Sequence, residues 1–195
     1  MKIFVVDNGG QWTHREWRVL RDIGVETKII PNDTPFEKIK DLDGLVLSGG
    51  AARIAWESSK LGNVGEYLDK AKFPILGMCL AHQFMAMYYG GSVGPAETPE
   101  FGKMQIDISR NSPLFSGLPK KFIVWESHND EIKDLPEQFE IVASSPSCST
   151  QAIQHKTRPM FGLQFHPEVE DCQHGEEIFR NFIEICRKHA EKRKA

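Results

Sequence analysis

The chain has 195 residues, of which 40% are hydrophobic and 26% charged, and its formal net charge at pH 7 is −3. This composition is typical of a globular protein with one sizeable core, and we expect a single domain over residues 1–195. The small negative charge gives no electrostatic basis for binding nucleic acid. No apolar run approaches the roughly 20 residues of a membrane-spanning helix, so we expect no membrane contact.

The first half of the chain alternates between strand and helix patterns. Short apolar runs that end in turn residues predict strands at residues 2–6, 25–30, 42–47 and 74–78. Apolar residues at helical spacing predict helices at residues 11–23, 61–72 and 80–89. This alternation indicates an α/β fold with an open, mostly parallel central sheet flanked by helices.

The second half of the chain has a different pattern. Short strands are predicted at residues 103–108, 122–125, 140–143, 149–154 and 160–165, with no long helix between them. We therefore expect antiparallel additions to the sheet. An amphipathic helix is predicted over residues 173–189, and the charged tail to residue 195 is expected to be its fraying end.

The four cysteines are scattered, and none lies in a Cys-x-x-Cys pair. This pattern is too sparse for a disulfide framework. The N-terminus reaches Asp7 too early for a signal peptide. We therefore expect free thiols and a cytoplasmic location.

Cys79 follows a predicted strand and opens a predicted helix, with Gly77 two residues before it. A cysteine at such a sharp turn exposes its sulfur, and the free N–H groups of the helix start favour the thiolate. A lone cysteine is more often a buried small hydrophobe. The glycine and the helix start nevertheless favour a nucleophile here.

His166 stands at the end of another predicted strand, and Glu168 follows two residues later. In an open α/β sheet, chemistry collects at the carboxyl ends of the strands. Glu168 can accept a hydrogen bond from the second ring nitrogen and hold one tautomer of His166. Cys79, His166 and Glu168 are thus the predicted catalytic residues.

Two further segments carry weaker signals. The glycine pair of Ser48-Gly49-Gly50 follows a strand and can turn an N–H toward a developing oxyanion, although a plain tight turn has the same sequence. His128 and Asp130 are compatible with a second catalytic pair, or with polar loop residues at the end of a strand. Because no further ligand set accompanies them, we expect no metal site.

These segments together resemble the class I glutamine amidotransferases of the triad type, which carry Gly-x-Cys-x-Gly-x-Gln, a glycine-rich loop after an earlier strand and His-Pro-Glu near the end. The resemblance covers nearly the whole chain and implies a flavodoxin-like sheet. It implies that Cys79 attacks the side-chain amide of L-glutamine, that His166 transfers the proton and that Glu168 orients His166.

The same resemblance implies which groups hold the oxyanion and the substrate. The backbone N–H groups of Gly50 and Leu80 would bind the oxyanion. The residues implied to clasp glutamine are Gln83, Ser127, His128 and Asn129. It implies no metal and no cofactor in this chain.

Within the family, three segments are similar to the glutaminases of GMP synthetases. They are Asp7-Asn8-Gly9-Gly10-Gln11, Leu47-Ser48-Gly49-Gly50 and Trp125-Glu126-Ser127-His128-Asn129-Asp130. A free-standing chain is similar to the two-subunit form of archaea. This implies a partner, an ATP-pyrophosphatase (synthetase) subunit, which uses ATP and Mg to convert XMP to GMP with ammonia from this chain.

Three alternatives remain open. The first is the glutaminase of anthranilate or aminodeoxychorismate synthase, against which the Trp-x-Ser-His-x-Asp segment argues. The second is a non-catalytic regulatory subunit, against which the intact Cys-His-Glu set argues. The third is a cysteine peptidase or γ-glutamyl hydrolase, which fits Gln83 and the region of Ser127 less well.

The chain departs from the family at two positions, since Ala81 and Ala51 stand where the family has Gly and Pro. We expect the Ala81 methyl to crowd the glutamine pocket or to tilt the turn at Cys79. Without the proline, the loop at Ala51 loses a backbone restraint. We therefore expect the oxyanion hole to form fully only when the partner docks.

Overall fold

A computed structural model describes residues 1–194 of the chain. Its strands are β1 (Ile3–Asp7), β2 (Ile29–Pro31), β3 (Gly44–Leu47), β4 (Ile75–Met78), β5 (Ser92–Ile108), β6 (Lys121–Asp134), β7 (Phe139–Ser144), β8 (Ala152–His155) and β9 (Met160–Leu163). Its α-helices are α1 (Thr13–Ile23), α2 (Ile54–Glu57), α3 (Val64–Lys70), α4 (Leu80–Tyr88) and α5 (Gly175–Lys194).

All nine strands belong to one sheet, in the order β2-β1-β3-β4-β9-β8-β7-β5-β6. The five strands from β2 to β9 are parallel to their neighbours. The remaining strands continue the sheet beyond β9 in antiparallel pairs. The predicted fold class is therefore confirmed, with parallel pairing in the part that holds the first half of the chain.

Helices cover both faces of the parallel strands. On one face, α1 and α5 bury Leu20, Phe179 and Phe182 against the strands. On the other face, α3 and α4 bury Tyr67 and Met85. Because both faces are covered, every residue of β3, β4 and β9 is buried, as is typical of the central strands of a parallel sheet.

The long hairpin of β5 and β6 is the largest difference from the sequence prediction. The two strands have 17 and 14 residues, whereas the sequence predicts only residues 103–108 and 122–125. Glycines and prolines interrupt the alternation of β5, and the pairing shifts register between Pro95 and Glu100. Trp125 to Asp130 therefore lie within a strand, and the interpretation of this segment as a polar loop is wrong.

Smaller differences concern helix ends. The sequence predicts one helix over residues 61–72, but a 3-10 turn at Ser58–Leu61 precedes α3. The last helix continues as far as Lys194, and residue 195 lies outside the described residues. Within residues 1–194, none of the helices combines the length and the apolar character that crossing a bilayer requires. All four cysteines are free thiols, as expected.

Replacing Phe182 with alanine should destabilise the fold strongly. The ring is fully buried between α5 and the sheet, and a Phe→Ala change at such a site costs about 3–5 kcal/mol. We expect the urea midpoint to fall by about 1 M or more. Phe101→Ala is the matched control, because Phe101 is 61% exposed; an equal loss in both variants would contradict the assignment of the core.

Candidate active site

The loops that follow four parallel strands meet at one edge of the sheet and form one wall of a cleft of about 620 Å³. They contribute Gly10 after β1, Gly50 after β3, Cys79 after β4 and His166 after β9. The opposite wall comes from the hairpin of β5 and β6. The chemistry-bearing segments found in the sequence are therefore brought together in a single cleft.

Cys79 has a left-handed backbone, with φ 47° and ψ −102°. Such a conformation costs a non-glycine residue of the order of 1–3 kcal/mol. It is held from both sides: the Cys79 N–H donates to the carbonyl of Leu163 in β9 at 2.7 Å, and the Cys79 carbonyl accepts from the N–H of Gln83 at 3.0 Å. The sharp strand-to-helix turn expected from the sequence is present.

Gly77 makes room for this turn. A Cβ atom at Gly77 would lie 2.8 Å from Cε of Met85 and 3.2 Å from the backbone carbon of Ala81. Ala81 itself is fully buried in the core beneath α4 and does not line the cleft. The expectation that its methyl group crowds the glutamine pocket is therefore wrong.

His166 is held by its side chain and by its backbone. Its Nδ1 lies 2.7 Å from Oε1 of Glu168, and both residues are about 95% buried. The edge of the imidazole meets the ring of Trp12 at 4.4 Å between centroids. A Cβ atom at Gly49 would lie 3.2 Å from Cε1 of His166 and 3.5 Å from Cβ of Cys79, so histidine and cysteine share the space beside that glycine.

The protonated form of His166 is favoured by its neighbours. Burial alone would lower the pKa of the imidazole, but the charge of Glu168 and hydrogen bonds with Cys79 and Glu168 outweigh it. The pKa of His166 therefore lies well above its ordinary value. An imidazolium next to a cysteine favours the thiolate.

The antiparallel part of the sheet curls back to reach His166. The N–H of His166 donates to the carbonyl of Trp125 in β6 at 2.9 Å, and the N–H of Gln173 donates to the carbonyl of Ile123 at 2.9 Å. In the order of the sheet, β6 lies four places from β9. These two bonds join the segment after β9 to the far edge strand.

The two residues predicted to hold an oxyanion are neighbours. A Cβ atom at Gly50 would overlap Cδ2 of Leu80 and would lie 2.5 Å from the carbonyl oxygen of Asn8. Asn8 fixes this loop by two bonds to Ser48, each of 2.9 Å. Only glycine fits at position 50, where the loops after β1 and β3 meet the start of α4.

The residues predicted to clasp glutamine lie along β6 and α4. Ser127, His128 and Asn129 line the cleft, and the Ser127 carbonyl lies 3.9 Å from Sγ of Cys79. Gln83 donates to the backbone carbonyl of Asp130 at 2.6 Å and to Oε1 of Gln164 at 3.0 Å. Its amide nitrogen thus anchors β6 against α4.

His128 takes part in a buried hydrogen-bonded pair that the sequence did not indicate. Its Nδ1 faces the backbone carbonyl of Asp130 at 3.0 Å, and its Nε2 faces Oε2 of Glu100 at 2.9 Å. Burial alone would raise the pKa of Glu100, but hydrogen bonds from His128, Ser145 and Ser147 outweigh it and lower that pKa.

The only group of residues within 1–194 that could hold a metal by spacing is Glu100, His128 and Cys148, whose ligand atoms lie within 4.8 Å of one another. Two of its members, His128 and Glu100, already contact each other at 2.9 Å. The proposed pairing of His128 with Asp130 is not present between side chains. The carboxylate of Asp130 instead accepts from Nε and NH2 of Arg53, at 3.0 and 2.6 Å.

Two buried carboxyl groups flank the cleft and were missed in the sequence. Burial, reinforced by Glu168, raises the pKa of Glu16 well above its ordinary value. Burial, reinforced by Glu100 and Cys79, does the same for the pKa of Glu126. Glu16 stands four residues before Leu20 and therefore lies on the same buried face of α1. A charged residue on the apolar face of a predicted helix could have been detected in the sequence.

Comparison with known proteins is consistent with this geometry. The family profile described as "Glutamine amidotransferase class-I" matches residues 4–186. The chain belongs to this family. A relative from Thermoplasma acidophilum, named as one of the subunits of glutamine-hydrolyzing GMP synthase, is 56% identical over 98% of this chain and 96% of its own. A relative of the same name from Thermococcus kodakarensis is 47% identical over 94% of this chain and 98% of its own.

Solved structures show the same fold. The crystal structure of a protein described as a GMP synthase subunit from Thermoplasma acidophilum is 55% identical, with a TM-score of 0.96 over 100% of this chain and 98% of that one. A glutamine amidotransferase from Thermotoga maritima is 22% identical, with a TM-score of 0.73 over 100% of this chain and 85% of that one. At 22% identity, the similarity to the Thermotoga maritima protein concerns the fold alone.

Glu126→Gln should gain stability relative to the wild type as pH rises. Because the pKa of Glu126 is raised in the folded state, the native chain binds more protons than the unfolded chain above the ordinary carboxyl pKa. The wild type therefore loses stability as pH rises through that window, by up to about 1.4 kcal/mol per pH unit. The glutamine side chain at position 126 does not titrate, so it adds no such pH dependence to the free energy of unfolding.

The test is urea unfolding of both proteins at several pH values from about 5 to about 8. The difference in free energy of unfolding should grow with pH. Glu137→Gln is the control, since Glu137 is exposed. A difference for position 126 that stays constant with pH would contradict the raised pKa.

Proposed function

We propose that this chain is the glutamine-hydrolysing subunit of a two-subunit GMP synthase. It hydrolyses L-glutamine to glutamate and ammonia, and a synthetase subunit uses the ammonia to convert XMP to GMP. The observation that carries the proposal is the strained Cys79 in the same cleft as the buried His166–Glu168 pair. The names of relatives that cover nearly the whole chain support the particular synthase.

In the first half of the reaction, Sγ of Cys79 attacks the side-chain amide carbon of glutamine. The carbonyl oxygen becomes an oxyanion, which accepts hydrogen bonds from the backbone N–H groups of Gly50 and Leu80. The imidazolium of His166 gives its proton to the departing ammonia. The carbon–nitrogen bond breaks and a γ-glutamyl thioester of Cys79 remains.

In the second half, His166 is neutral and takes a proton from a water molecule that attacks the thioester carbon. The bond to sulfur breaks, glutamate leaves and the imidazolium–thiolate pair is restored. Glu168 keeps Nδ1 of His166 protonated and leaves Nε2 free for proton transfer. Every step uses groups of this chain and no cofactor.

Glutamine is held between α4 and β6 in this proposal. Ser127, His128 and Asn129 supply backbone groups along β6, and Gln83 fixes that strand. The buried contact of His128 with Glu100 supports the strand from behind. The side chain of His128 is thus a support for the substrate strand, and its backbone faces glutamine.

The partner in this proposal is an ATP-pyrophosphatase subunit, to which ATP and Mg bind. The chain acts as one glutaminase domain in the cytoplasm. The loop of residues 48–53, which carries Gly50, has alanine at position 51 and contains no proline. We propose that docking of the synthetase completes the alignment of this loop, which prevents waste of glutamine.

Replacing the nucleophile Cys79 should abolish glutamine hydrolysis, and replacing Glu168, which orients His166, should lower it strongly. Cys79→Ala should release no glutamate above background, because no thioester can form. Glu168→Gln should lower kcat/KM by about 100-fold or more, since the imidazolium loses its buried carboxylate. The measurement is glutamate release by the chain mixed with its synthetase subunit, ATP and XMP.

The control is Glu170→Gln, because Glu170 is exposed two residues further along the chain. It should keep the wild-type rate. Activity that survives in Cys79→Ala would overturn the proposed nucleophile.

Adding the synthetase subunit with ATP and XMP should raise the glutaminase rate of this chain by about 10-fold or more, if docking orders one oxyanion donor. The rates of the isolated chain and of the complex are compared at saturating glutamine. Equal rates would rule out activation by docking and leave the assignment of Cys79 intact.

A further inference from the structure

We infer that Arg53 is a specificity-determining residue of the glutaminase site, which binds the α-carboxylate of glutamine through its guanidinium. The inference rests on the proposed function and adds a recognition element to the cleft that holds Cys79. Its basis is the placement of one cation, fixed by two neighbours, on the wall of the cleft.

The guanidinium of Arg53 is fixed before any ligand binds. On its inner side, Nε and NH2 donate to the two carboxylate oxygens of Asp130, at 3.0 and 2.6 Å. On its outer side, it stacks over the ring of Trp56 at 4.5 Å. A planar guanidinium held in this way is preorganised to bind a second carboxylate.

Arg53 keeps donor capacity toward the cleft. Its NH1 group makes no hydrogen bond to any residue between 1 and 194, and its side chain is 51% exposed although that of Asp130 is 7% exposed. Among the described residues that line the cleft, Arg53 is the only lysine or arginine. The two histidines that line the cleft, His128 and His166, are buried, whereas Arg53 is half-exposed.

A series of direct contacts connects Arg53 with the nucleophile. Gln83 lies in the first turn of α4, and its N–H donates to the carbonyl of Cys79 at 3.0 Å. The amide nitrogen of Gln83 contacts the backbone of Asp130, whose side chain holds Arg53. Arg53 and Cys79 line the same cleft, and α4 and β6 join them through these contacts.

The position in sequence connects recognition to catalysis. Arg53 follows Gly50 by three residues, in the loop after β3. A carboxylate bound at Arg53 therefore restrains the same loop that carries the proposed oxyanion donor. An amide without an α-carboxylate would reach Cys79 without this contact, and the site would select against it.

The experiment compares two substrates. L-Glutamine carries the α-carboxylate, and 4-aminobutanamide is the same molecule without it. Hydrolysis of each is measured with the chain in complex with its synthetase subunit, ATP and XMP, for the wild type and for Arg53→Gln. The loss of a charged hydrogen bond should lower kcat/KM for glutamine by about 10-fold to 100-fold, mainly through KM.

The same substitution should change kcat/KM for 4-aminobutanamide by less than about 3-fold, because that substrate makes no contact with the guanidinium. Arg53→Lys should lie between wild type and Arg53→Gln, since lysine keeps the charge and loses the fork. Arg180→Gln is the matched control, because Arg180 also pairs with a carboxylate and is 55% exposed, on α5. It should leave both substrates unaffected.

A loss of equal size for the two substrates would overturn the inference, because it would mean that Arg53 only ties the loop to β6. No loss for glutamine would overturn it too. Calorimetric binding of glutamine to the Cys79→Ala complex, with and without Arg53→Gln, separates the two proposals. Binding that is unaffected by Arg53→Gln defeats this inference alone, whereas no binding in either protein defeats the proposed function with it.

Discussion

The left-handed backbone at Cys79 is the constraint on which the rest of the site depends. It turns the chain from β4 into α4 within one residue, and the bond of its N–H to Leu163 ties the turn to β9. Three glycines make the turn possible, at positions 77, 49 and 50, because side chains there would meet α4, His166 or Asn8. The strain is balanced by packing on both faces of the sheet.

The cleft also shows two ways in which a fold can bury a carboxyl group. For Glu100, hydrogen bonds from His128, Ser145 and Ser147 outweigh burial and lower the pKa of its carboxyl group. For Glu16 and Glu126, burial is the largest effect and raises the pKa, since it disfavours the charged form.

The sequence predicts the parallel half of the fold well because its strands are short apolar runs that end in turns. It also indicates Cys79 and His166, since each follows a strand, and Glu168, since it lies two residues after His166. It fails at the hairpin of β5 and β6, where Gly94, Pro95 and Pro99 hide the alternation. Long-range pairs such as Arg53 with Asp130, 77 residues apart, leave no local pattern to detect.

The curl of the sheet has a consequence for how the site opens and closes. The amide of His166 is bonded to Trp125 and that of Gln173 to Ile123, so two main-chain bonds fasten the segment after β9 to the far edge of the sheet. These amides can exchange with solvent deuterium only when β6 separates from that segment. The histidine thus belongs to the same cooperative unfolding unit as the edge strand, and its position is lost when that strand detaches.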